Sequence, residues 1–149
     1  VARPADPTDN ATPSGLSAMV AALTAYTALS GETRYREAAE AALATVAPIV
    51  DKHPRFTGYA AATGEALLSG PYEIAIVTDE PTADPLRMAA HTHAPPGAVV
   101  VAGMPDRPGV PLLADRPMID GQPTAYVCRG FVCDRPVTDP AELVAQLGG

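Results

Sequence analysis

Two cysteines, Cys128 and Cys133, bracket the segment Cys-Arg-Gly-Phe-Val-Cys, with four residues between them. If Gly130 occupies a turn, the two side chains face each other across a hairpin, and a disulfide or a redox pair becomes chemically available. Thioredoxin-type redox pairs hold two intervening residues and place the first thiol at a helix N-terminus, which lowers its pKa. This spacing differs, and the adjacent cation is Arg129. Three states stay open for the pair: buried inert thiols, a structural or labile disulfide, and a catalytic couple. Two thiols alone do not make a structural zinc site.

A second polar cluster is Asp9-Asn10-Ala11-Thr12-Pro13-Ser14-Gly15, which leads into an apolar periodic run. A helix N-terminus presents unpaired N–H groups and partial positive charge, so it can hold an anion or a sugar hydroxyl. Asp9 can serve there as acid, base or hydrogen-bond acceptor, with Asn10, Thr12 and Ser14 as further ligand-binding candidates. The plainer reading is that these residues cap the helix. Glycoside hydrolysis normally takes two carboxylates at a set separation, and only Asp9 is a candidate. His91 and His93 lie two apart, which puts them on different faces of a helix, and no metal site is expected from them. The sequence has no Gly-x-Ser-x-Gly elbow and no Walker motif. Its first apolar β-type run leads into the acidic Thr78-Asp79-Glu80-Pro81-Thr82, not a glycine-rich phosphate loop, so no nucleotide cofactor is expected.

The elements that must position these groups fall into two styles. In the first half, Leu16, Met19, Val20, Leu23 and Tyr26 follow three-four spacing and predict a helix over 13–30, with Thr12 as N-cap, Pro13 at N1 and Gly31 as the stop. A second helix is expected from 32 or 33 to about 46, ended or kinked by Pro48, and a third over 58–68. The short link at Gly31 makes the first two antiparallel neighbours. Residues 1–11 and 51–57 read as loops.

The period then changes. Residues 73–78 and 98–102 are short β-branched runs, and a helical pattern over 81–93 lies between them. Together they predict a βαβ unit with parallel strands. A long Pro/Gly-rich loop with at most a short helical turn is expected over 103–123, then a strand at 124–129, a returning strand at 131–133 and a terminal helix at 140–147 capped by Thr138 or Asp139. The fold class expected is mixed α/β: antiparallel helices over 1–70, then a small, mostly parallel sheet with a C-terminal helix over 71–149.

Composition narrows the partners. The net charge is −7 with ten Lys plus Arg and no Trp, and no basic stripe exists, so nucleic acid is not an expected partner. No apolar run reaches the roughly 18 residues of a membrane span, and no signal peptide is visible. A cytoplasmic location is therefore expected. The chain begins at Val1 in a Pro-rich polar stretch, which reads as a fragment or processed product.

Several segments in order, DNATPSGLS (9–17), GETRYREAAEAAL (31–43), EIAIV (73–77) and DGQPTAYVCRGFVCDRPVTDP (120–140), resemble the C-terminal end of one family. It is the thioredoxin-domain family that includes the bacterial YyaL-like proteins and spermatogenesis-associated protein 20. The resemblance spans almost the whole chain, and its most specific piece is PTAYVCRGFVC with the following PVTDP. It implies a helical half that supplies the last hairpins of an α/α toroid similar to six-hairpin glycosidases and epimerases, followed by an α/β extension. It further implies that the thioredoxin-like and remaining toroid parts of the same polypeptide are the partner, with a link to carbohydrate metabolism or redox. Leu16 and Gly130 stand where the family often has Asn, which weakens an inherited sugar-binding role, and residues 91–96 look atypical. The expectation is a non-catalytic C-terminal segment. The alternatives are a fragment of a carbohydrate-active enzyme and a thiol-redox protein acting through Cys128 and Cys133.

Overall fold

The computed structural model describes residues 6–148, so positions 1–5 of the expected N-terminal loop and position 149 lie outside the described residues. The chain divides into two compact units, one formed by the residues up to Thr27 together with Glu32–Gly70, the other by Ala28–Gly31 together with Pro71–Gly149.

The first unit is helical, with α1 (Gly15–Ser30) except for its last three residues, α2 (Thr33–Lys52) and α3 (Gly58–Ser69), and a 3₁₀ turn at Pro54–Phe56 before α3. The start of α1 falls two residues after the expected one. Its cap is Ser14, whose Oγ accepts the Ser17 N–H at 3.0 Å, while Thr12 is exposed. Gly31 ends α1 at φ +74°, a conformation that suits glycine. Pro48 does not end α2 near residue 46; the helix carries it internally and continues to Lys52. Proline removes the hydrogen bond to the carbonyl four residues back. Here that carbonyl belongs to Ala44, and both Ala44 and Pro48 are exposed, so water can replace the lost donor. The core of this unit is thin: Val20, Ala39 and Leu67 are buried together, with Leu16, Leu23, Ala42 and Leu43 packed partly against them.

The second unit is a four-stranded sheet in the order β2-β1-β3-β4, from β1 (Glu73–Val77), β2 (Val99–Gly103), β3 (Thr124–Arg129) and β4 (Val132–Cys133). Two helices, α4 (Pro85–His93) and α5 (Pro140–Gln146), belong to it. The mixed α/β class is as expected, and β1 and β2 pair in parallel across the α4 crossover. The sheet is nonetheless mixed rather than mostly parallel, since β1–β3 and β3–β4 are antiparallel. The physical reason is the connection from β2 to β3. It contains one 3₁₀ turn, at Pro111–Leu113, and no crossover helix, and β3 enters beside β1 running the other way. The helix expected from residue 81 begins at Pro85. Asp84 is its cap, accepting the Leu86 N–H at 2.8 Å, and residues 81–83 form a turn. Asp139 caps α5 through the Ala141 and Glu142 N–H groups.

Side chains of directly paired residues share one face of a sheet. Ile74 and Ile76 of β1 thus lie on the same side as Val127 and Ala125 of β3, and they form the main core with Leu86 and Ala90 of α4 and Leu143 of α5. Glu73, Ala75 and Val77 lie on the other side with Cys128, Tyr126 and Thr124. Leu143 is fully buried in the main core. Leu143→Ala is expected to cost about 2–5 kcal/mol, read as a lowered urea midpoint for the sheet unit by circular dichroism.

Candidate functional site

Two polar centres stand out, one in each unit. In the helical unit the Asp9 side chain spans two helix starts. Its Oδ1 accepts the Ser14 N–H at 2.8 Å, and its Oδ2 accepts the Tyr59 and Ala60 N–H groups of α3 at 2.9 and 3.1 Å. The Asp9 backbone N–H donates to the Phe56 carbonyl. Thr57, at the N-cap position of α3, makes no side-chain cap bond. Asp9, fifty residues before Tyr59 in sequence, supplies the acceptor in its place. Burial alone would raise the Asp9 carboxyl. Hydrogen bonds from Ser14, Ala60, the Ser17 hydroxyl and Tyr59 outweigh it and hold the group below its ordinary value of 3.8. Ser14 is also committed, its hydroxyl lying 2.9 Å from that of Ser17. Asn10 and Thr12 are exposed. The four candidates of this loop therefore do not converge on a shared cleft: Asp9 and Ser14 are occupied in holding helices, and the other two face solvent.

In the sheet unit, Cys128 and Cys133 form a disulfide. They are directly opposite each other on β3 and β4. The connecting turn has Gly130 and Phe131 at its centre, both with positive φ, +57° and +64°. That is the pattern of a type I′ turn, whose twist matches a two-residue hairpin. Gly130 adopts it freely; Phe131 needs support. Glu73, on the neighbouring strand and only 3% exposed, provides it: its carboxylate accepts the Gly130 N–H at 3.1 Å and the Phe131 N–H at 2.7 Å.

Burial pushes the Glu73 carboxyl above its ordinary 4.5, opposed by the two turn amides and by the charge of Arg116. Arg116 is the other component of this centre. Its residue is 8% exposed, and one terminal nitrogen, Nη2, lies 3.3 Å from Cys133 Sγ and 3.7 Å from Cys128 Sγ. Nη1 donates to the Ala114 carbonyl at 2.8 Å, and Nε is buried with no hydrogen-bond partner. The guanidinium lies 5.8 Å from the centre of the Phe131 ring. Among the described residues no carboxylate is within ion-pair distance of it. Beside it opens a cleft of about 590 Å³, lined by Arg116, Tyr126, Phe131, Cys133, Asp134 and four further residues, Pro111, Ala114, Asp115 and Pro136. Tyr126 donates to the Pro117 carbonyl at 2.7 Å, and burial raises its phenol against the pull of Arg116.

Sequence reasoning singled out the cysteines and the turn but neither Glu73 nor Arg116. Glu73 carried a signal: a carboxylate opening an otherwise apolar strand is out of pattern. Arg116 carried none, since its position follows from the path of a loop. His91 and His93 lie exposed at the end of α4, and among the described residues no group of three His, Cys, Asp or Glu side chains is placed to hold a metal ion. No described helix is long and apolar enough to cross a membrane. A scan against protein-family models, a search of curated proteins and a search of solved structures each gave no match.

Two outcomes follow from these contacts. Asp9→Ala should destabilise the helical unit by about 1–3 kcal/mol, because buried N–H groups lose their acceptor. Since the Asp9 pKa is lowered on folding, its contribution is full above the unfolded value of 3.8 and is lost as pH falls through the folded one. The stability difference between wild type and Asp9→Ala should therefore shrink in acid denaturation series. Glu73 has the opposite sign: the unfolded chain ionises first, so its contribution declines as pH rises from 4.5 through the raised folded value. Glu73→Ala should speed hydrogen exchange at the Gly130 and Phe131 amides about tenfold. The Asp134 amide, bonded to the Val127 carbonyl, should stay protected.

Proposed function

We propose that this chain is a packing segment of a larger polypeptide and is not catalytic by itself. Its helices would complete an α/α ring against further hairpins, as the resemblance to thioredoxin-domain, six-hairpin-glycosidase-like proteins implies, and the sheet unit would be the extension that follows. The observation that carries this reading is the apolar groove between α2 and α3. It is lined by Leu43, Ala47, Val50, Ala61 and Leu68, with Asp51 and Glu65 among its lining residues. Leu68 is 84% exposed, and Met19 on α1 and Phe56 before α3 are also uncovered. A small unit with so thin a core gains stability mainly by burying more apolar surface, and a contiguous exposed apolar face marks an interaction surface. Amphipathic helices from the same polypeptide have the chemistry to cover it. A cytoplasmic location belongs to this reading.

The carbohydrate-active alternative is less well supported. Its one candidate carboxylate, Asp9, already accepts three backbone N–H groups.

Dye binding and sedimentation of the isolated chain test the proposal. The wild-type chain should bind a hydrophobic dye and self-associate. Leu68→Asp should reduce both without loss of helicity, because it places a charge in the groove. A compact monomer that binds no dye would remove the reading.

A further inference from the structure

The disulfide centre supports an inference independent of the packing role. Arg116 is a buried cation whose partners are one carbonyl and two neutral sulfurs. Among the described residues no carboxylate lies within ion-pair distance of that guanidinium, and the charge of Glu73, which acts on it from farther off, is answered by the two turn amides. A buried charge is costly without a close partner. The oxidised pair offers it only weak acceptors. Reduction would place a thiolate beside the same guanidinium, and a neighbouring cation stabilises the thiolate form. The buried, unpartnered Nε of Arg116 also belongs to this centre, at the edge of the cleft. The two sulfurs are not equivalent. Cys128 is 1% exposed, whereas Cys133 is partly exposed and lines the cleft.

We propose that Cys128–Cys133 is a thiol–disulfide exchange site, in which Cys133 Sγ is attacked, Cys128 Sγ is the leaving group and Arg116 receives the leaving thiolate's charge. The substrate class is a thiol, carried by a small molecule or by a cysteine of an extended peptide entering the cleft. Its thiolate attacks Cys133 Sγ and forms a mixed disulfide. The Cys128–Cys133 bond breaks, and its electron pair departs on Cys128 Sγ beside Arg116. A second substrate thiolate then attacks the substrate sulfur of the mixed disulfide. Cys133 leaves as thiolate, and the substrate departs as its own disulfide. Two thiols have been oxidised, the protein disulfide has been reduced by two electrons, and the thiol protons end on the protein sulfurs or in solvent. The direction of net flow is set by the thiol pool, and in a reducing compartment the dithiol form would accumulate.

The experiment equilibrates the native chain in glutathione redox buffers, followed by acid quench, alkylation and mass spectrometry. Wild type should exchange without denaturant. Arg116→Met should shift the equilibrium about tenfold toward the disulfide, and Arg116→Lys should recover most of that shift. Circular dichroism checks that each variant is folded, and the lysine variant keeps the test valid if the methionine variant is not. In single-cysteine variants, Cys128→Ser should leave a Cys133 that forms a glutathione adduct, and Cys133→Ser a Cys128 that does not. A short cysteine-containing peptide run beside glutathione identifies the source of the thiol by which exchanges faster. A native disulfide inert to both thiols, or Arg116→Met and Arg116→Lys both matching wild type, would overturn the proposal.

Discussion

Strand β1 sets the terms for the sheet unit. It is paired along both edges, in parallel to β2 and antiparallel to β3, and all five of its residues are buried. A strand enclosed on every side can carry a charge only if that charge is answered by hydrogen bonds. Glu73 meets the condition by accepting the two amides of the β3–β4 turn. Those amides point away from the hairpin ladder because both central residues have positive φ. One carboxylate thus explains why a phenylalanine can occupy a conformation usually left to glycine or asparagine. It also ties the hairpin that carries the cysteines to the central strand.

A comparable device organises the helical unit, with the sign reversed. Asp9 keeps its charge more readily on folding because backbone donors from two helix starts converge on it. The helix dipole adds to this, since negative charge is favoured at an N-terminus. Such a bond fixes where helices begin but buries little apolar surface. Polar specification and hydrophobic stabilisation are therefore unequal in this unit: its helix ends are well determined, while the groove between α2 and α3 stays open.

Much of the architecture was legible from pattern. The switch from helical to strand periodicity after Gly70, the βαβ unit, the hairpin at Gly130 and the Asp139 cap all follow from local residue chemistry. The misreadings are of one kind, in which a rule about a single residue type gave way to what actually surrounds that residue. Pro48 is a helix breaker by propensity, yet solvent tolerates the carbonyl it orphans. Thr12 is as good a cap as Ser14 in isolation, but Asp9 and Ser17 select Ser14. Strand direction past β2 was not decided by pattern at all, because a loop without a crossover helix permits either sense. Among the site residues, the cysteines announced themselves by type, whereas Arg116 reaches them only through the fold.

The covalent ring closed by Cys128 and Cys133 is very small, with a sequence separation of five. Loop-closure entropy scales with the length enclosed, so a ring of this size restricts the unfolded chain by only about 2 kcal/mol. Non-covalent forces already draw the same two strands together: the turn amides held by Glu73 and the bond from Asp134 to Val127. Opening the ring therefore changes the chemistry at the sulfurs far more than it changes the shape of the backbone around them.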